Sequence, residues 1–203
     1  MSGFKTTRHI EYDPVVDVQN THLHDLRVTL ARRSKWNIGY FGAGFVLWIG
    51  ILIINLTVPV ETGRGIWIAL SFGVLPVAVL LSKLVGADPF CNDNPLGRLV
   101  GYTHMSVITL SFPLVVFAAI YDPHIQLLLM AVLYSIDFYV MTWAFGSGVF
   151  AAHSAARTIV ATGVWFAFPT SRLTLIPIAV AAFYLGMLLL LPGLRRRWME
   201  AHT

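Results

Sequence analysis

The sequence predicts an all-α membrane protein: six transmembrane helices preceded by an amphipathic helix at the amino end. Three observations predict it. The first is composition, since 57% of the 203 residues are hydrophobic and only 12% are charged. A soluble domain carries roughly 25% charge, and half of that leaves too little polar surface to cover a globule in water. The second is the length of the apolar stretches, near 20 residues without strict alternation, which suits a helix crossing about 30 Å of hydrocarbon and not a barrel strand. The third is the placement of the basic residues at the chain ends and in one loop, a membrane topology pattern and not a nucleic-acid surface.

Residues 1–35 form the one long polar segment, and six of them are basic: Lys5, Arg8, Arg27, Arg32, Arg33 and Lys35. The segment lacks the basic start, apolar core and small-residue cleavage site of a secretory signal. Asn20 or Thr21 is expected to cap a helix, with Asp25 in its first turn. Leu23, Leu26 and Leu30 follow at helical spacing. The expectation is a cytoplasmic segment with an interfacial helix, whose Arg32, Arg33 and Lys35 face lipid headgroups.

Residues 36–193 are read as a six-helix transmembrane domain. The spans run from Trp36 to Pro59, Gly65 to Val85, Leu99 to Tyr121, Ile125 to Phe145, Val149 to Phe168 and Leu173 to Leu191. Trp36 and Tyr40 are expected at the membrane interface. Turn formers Asn92, Asp93, Asn94 and Pro95 mark the longest connection. Gly146-Ser147-Gly148 is too short for the flanking helices to be anything but antiparallel neighbours. Residues 194–203 read as a basic cytoplasmic tail, with Arg195, Arg196 and Arg197 stopping the last span. Pro113 and Pro177 sit in loosely similar surroundings, a thin sign of an inverted repeat.

Orientation follows from counting Lys and Arg. With the amino end inside, inner segments hold eleven, outer segments hold only Arg64 and Arg172, and Arg157 lies within a span. Both ends inside requires an even number of spans, in agreement with six. The expected location is a bacterial inner membrane, with the bilayer as the first partner and no nucleic acid. The lone cysteine, Cys91, excludes an internal disulfide.

Function must be sought among ionisable residues placed where hydrocarbon is expected, because each is costly there unless it faces a partner or a cavity. His104, Asp137, His153 and Arg157 stand out. Asp137 lies ten residues before Ser147 and Arg157 ten after it, so an antiparallel hairpin brings them level, about 15 Å from its tip. His153 shares a helix face with Arg157, and Tyr134 shares one with Asp137. The sequence therefore points to a polar cavity in the cytoplasmic half, lined by His104, Tyr134, Asp137, His153 and Arg157, which binds or moves a small solute, ion or proton. A direct or water-bridged Asp137–Arg157 pair is expected. The bland alternative is a structural salt bridge with locally bonded histidines, or an Arg157 that snorkels to the interface.

Other classes remain open. A scaffold or sensor could use the basic amino segment, and a lipid-modifying enzyme could use a histidine as general base. An electron-transfer protein could hold haem between His104 and His153. His22, His24 and Asp25 read as solvated helix residues, and not as metal ligands. Asn55-Leu56-Thr57 fits a glycosylation sequon close to the membrane. There is no zinc-protease helix motif, Walker loop, nucleophile elbow or Gly-rich dinucleotide turn.

Phe72-Gly73-Val74-Leu75-Pro76, Leu80-Leu81-Ser82-Lys83-Leu84 and Asn94-Pro95-Leu96-Gly97 resemble an uncharacterised family of small polytopic bacterial membrane proteins, described only as a domain of unknown function. The likeness covers the spans and continues weakly to Gly146. It implies a bacterial inner membrane, offers no activity and carries over no charged site.

Overall fold

The computed structural model describes residues 14–202, with side chains from residue 22 onwards. Eight helices follow in chain order: α1 (Pro14–Ser34), α2 (Ile38–Thr57), α3 (Val60–Leu84), α4 (Pro95–Tyr121), α5 (Pro123–Leu133), α6 (Asp137–Phe145), α7 (Val149–Ala167) and α8 (Arg172–His202). No strand occurs among the described residues. Five stretches are long and apolar enough to cross a membrane: 22–57, α3, α4, α5 with α6, and α8. The fifth expected span, α7, carries His153 and Arg157 and is not among those five.

Helix ends form where turn chemistry allows. Asn94 caps α4, its Oδ1 accepting from Leu96 N (2.9 Å) and Gly97 N (3.4 Å), with Pro95 at the first helical position. Asp122 caps α5 in the same way, accepting from His124 N at 2.8 Å. Both caps satisfy orphan backbone donors, and proline there gives up only an N–H that had no partner. Gly146 ends α6 at φ +62, and Ser147 N bonds back to Thr142 O. That left-handed closure favours glycine and turns the chain straight into α7. The expected hairpin is present.

α2 packs on α3 and α8, α7 packs on α6, α5 and α8, and α4 lies along α5 and α6. The approach of α2 to α8 is close: a Cβ on Gly44 would stand 2.3 Å from Tyr184 Cε1. One large apolar core runs through the bundle, with Phe41, Trp48, Trp67, Phe145 and Phe150 fully buried. α3 and α4 leave Phe72, Leu110, Phe117 and Ile120 exposed, as a lipid-facing wall would.

Four expectations need correction. Asn20 or Thr21 does not begin α1, which already starts at Pro14; the side chains at 20 and 21, like Lys5 and Arg8, lie outside the described residues. α1, expected as an interfacial helix, also docks across one end of the bundle. Asn94 Nδ2 donates to Leu26 O (2.9 Å), Arg27 Nη2 to Trp143 O (2.9 Å), Lys35 Nζ to Val85 O, and Arg33 pairs with Asp88 (2.6 Å) and Asp93. Of the three basic residues meant for headgroups, only Arg32 is exposed. Trp36 and Tyr40, expected at an interface, are buried. A left-handed turn at Lys35, Trp36 and Asn37 drives Trp36 inward against Phe150 and Trp198.

The fourth expected span is not one continuous helix. Between α5 and α6, Ser135, Ile136, Phe138 and Tyr139 make tight bonds to carbonyls three residues back. No glycine or proline announces this break. It is held by side chains: Ser154 Oγ donates to Ser135 O at 2.8 Å, and Ser135 Oγ contacts Thr158 Oγ1 at 3.1 Å. Hydroxyls that re-satisfy freed backbone groups are what makes such a break tolerable. The last helix, in turn, does not stop at Leu191. It runs through Pro192 and the three arginines to His202, whose ring stacks on Trp198 and meets His24.

At the opposite end, arginines cap helix carboxyl ends, as the macrodipole favours. Arg64 donates to Ala119 O (2.8 Å), and Arg172 donates to Trp165 O (2.7 Å). Asn55, the sequon residue, donates its amide to Leu173 O at 2.5 Å and ties α2 to α8.

Candidate functional site

The break between α5 and α6 places Asp137 at the first turn of α6, facing α4. His104 comes from the third turn of α4. Its Nδ1 lies 2.6 Å from Asp137 Oδ2, and the two side chains are 16% and 8% exposed. With Asp137 ionised, Nδ1–H is the donor, so the neutral histidine keeps Nε2 as an acceptor and the imidazolium turns it into a second donor. His104 Nε2 and Asp137 Oδ1 are both buried and have no hydrogen-bond partner among the described residues.

The pair lines an enclosed cavity between α2, α4, α6 and α8, with Tyr40, Tyr134, Phe138 and Tyr184 among its other walls. The Tyr40 ring stands edge-on to His104, centroids 4.8 Å apart. The cavity volume is about 30 Å³. That is room for one or two waters beside the orphaned polar atoms, and not for an organic solute. His104, Asp137 and Tyr134 thus line one cavity.

Arg157 and His153 do not join them in the expected way. Arg157 is fully buried, so it does not snorkel. No ion pair links it to Asp137 among the described residues; Nη1 donates instead to Tyr184 Oη at 2.5 Å. Its guanidinium lies over the rings of Tyr184 (5.0 Å) and Phe138 (5.4 Å). Cation–π attraction is strongest where water is excluded, and here it takes the place of the expected carboxylate. Equal depth on a hairpin did not make equal rotation: Asp137 turns to α4 and Arg157 to α8.

His153 lines a different space, an open groove of about 340 Å³ between α7 and α8, with Phe183 and Met187. The rings of Phe138 (4.9 Å) and Tyr184 (5.4 Å) pack against it and separate it from the His104 cavity. The two histidines therefore share no common space. Sequence reasoning missed Tyr184 and Tyr40. An aromatic within an apolar run reads as packing, although a buried tyrosine hydroxyl does demand a partner.

Outside the bundle, Asp88 anchors the loop before α4. Burial alone would raise its pKa, but the N–H groups of Cys91 and Phe90 and the Arg33 guanidinium outweigh that and hold it below the usual value. Arg33 lowers Asp93 likewise. The Cys91 thiol is pushed up to about 11 by burial, with Asp88 adding to the effect.

Fold and site together define an all-helical protein, with helices apolar enough to cross a membrane and a buried His–Asp pair set among them. The chain belongs to a family of unknown function, DUF7010, which matches residues 23–192. No curated protein and no solved structure matches it.

Proposed function

We propose that this is a multi-pass protein of a bacterial inner membrane, with both ends cytoplasmic, in which the His104–Asp137 pair binds and releases a proton. The observation that carries the reading is the 2.6 Å contact between these side chains on the wall of a cavity with room only for water. A larger solute does not fit that space. An intramembrane ionisable pair at a broken helix is the arrangement used for proton and ion relays.

Charge bookkeeping supports it. Arg157 is always charged and fully buried, and its guanidinium is held by Tyr184 and Phe138, apart from the pair. Uptake of one proton by the pair changes its charge by one within an enclosed, water-sized space. The groups that line the cavity beside this proton are Tyr40 from α2, Tyr134 at the break, Asp137 and Tyr184, whose hydroxyl accepts from Arg157. Under the Lys/Arg orientation, the pair sits in the cytoplasmic half, below the end that α1 covers.

Vesicles reconstituted with the purified protein and loaded with a pH-sensitive dye test the reading. An imposed potential should drive a proton flux that Asp137→Asn and His104→Gln abolish. Flux equal to that of protein-free vesicles, or unchanged in both variants, overturns it.

A further inference from the structure

A second pocket lies beside the first and shares only Tyr40 with it. It has a volume of about 130 Å³ and opens between α3, α4 and the loop 85–94. Its polar walls are Tyr40, Asn92, Arg98 and Tyr102, and its apolar walls include Leu75 and Met105. The Arg98 side chain has no hydrogen bond and no ion pair among the described residues, whereas the two acids of the same loop, Asp88 and Asp93, are both committed to Arg33. An unpaired guanidinium is thus left at the mouth of a concave site.

The back wall supplies an independent observation. Tyr40 is only 8% exposed, its ring stands edge-on to His104, and its side chain makes no hydrogen bond among the described residues. A largely buried tyrosine without a hydrogen-bond partner, lining the same pocket as an unpaired arginine, offers a donor to an acceptor placed there. Arg98 also lies in the first turn of α4, where the helix dipole favours negative charge.

We propose that this pocket binds an anionic phosphate group, with Arg98 as the charged clamp and Asn92, Tyr102 and Tyr40 as neutral donors. The phosphate is either a lipid headgroup, whose chains would run along Leu75 and Met105, or the free ion. Only the first source rests on the membrane reading, and neither depends on proton binding at His104. Arginine suits the task because its planar fork matches the oxygens of a phosphate.

Thermal unfolding of the full chain in a neutral detergent tests this. The probes are phosphatidylglycerol against phosphatidylcholine, and sodium phosphate against sodium chloride at matched ionic strength. The wild-type chain should be stabilised saturably by phosphatidylglycerol, by phosphate, or by both. The arm that responds identifies the source. Arg98→Gln should weaken the midpoint about tenfold, the worth of one charge-assisted bond, and Arg98→Lys should recover part of it. Tyr40→Phe, which keeps the ring, should weaken it by a factor of about 2 to 10. Arg196→Gln, an exposed arginine paired with Glu200, should leave it unchanged. The proposal fails if neither probe exceeds its control, or if Arg98→Gln and Tyr40→Phe bind like the wild type.

Discussion

Arg157 and Tyr184 form the buried polar joint between α7 and α8: a guanidinium with no exposed surface donates to a phenol hydroxyl at 2.5 Å. Hydrogen bonds to charged groups contribute about 1.5–3 kcal/mol. Tyr184→Phe should therefore destabilise the chain by roughly that amount while leaving the ring in place. In a double-mutant cycle, Arg157 and Tyr184 should show clear coupling in thermal or denaturant unfolding, and Arg157 and Asp137 less. The reverse order would restore the direct Asp137–Arg157 pair.

Gly44 sets how closely α2 meets that joint. An added Cβ would stand 2.3 Å from Tyr184 Cε1. Gly44→Ala should cost about 1–3 kcal/mol as overpacking, because the ring it displaces is held by Arg157. Gly163, which has open space around it, is the matched control: its alanine variant should be neutral or slightly stabilising by melting temperature.

The contact of α1 with the loop before α4 depends on ionised carboxylates. Asp88 and Asp93 both have pKa values lowered in the fold. Their contribution is therefore fully present above the unfolded value, near 4, and is lost as pH falls through the lower folded values. At neutral pH it should be flat. Protection factors of α1 amides, corrected for the intrinsic exchange rate at each pH, should fall on acidification below pH 4, and Arg33→Ala should lower them at neutral pH. Protection that is unchanged in Arg33→Ala would show that the pairs do not hold α1.

Cys91 is 1% exposed and its thiol is raised to about 11. At pH 8 it should resist alkylation in the folded chain and react at once after denaturation, as mass spectrometry can read. Fast labelling of native protein would mean that the loop opens.

Membrane orientation makes its own forecast. Reporter fusions placed after Thr203 and within the first residues should both read cytoplasmic. A periplasmic signal from either end would overturn the inside–inside arrangement.

The sequence by itself determined what depends on position along the chain. Apolar length gave the helices, turn residues gave the Gly146 hairpin, and the rise per residue put His104, Asp137 and Arg157 at similar levels. Only tertiary structure decided rotation and partners. Each residue turns a helix by about 100°, so two side chains at one level can face opposite neighbours, as Asp137 and Arg157 do. The break at Ser135 was equally illegible, because Ser154 and Thr158, distant in sequence, hold it open. Trp36 and Tyr40 moved from an expected interface into the core because a left-handed turn redirects the chain where α1 folds onto the bundle. Depth is a local, one-dimensional property of a helix. Which face it buries is settled by every helix packed around it.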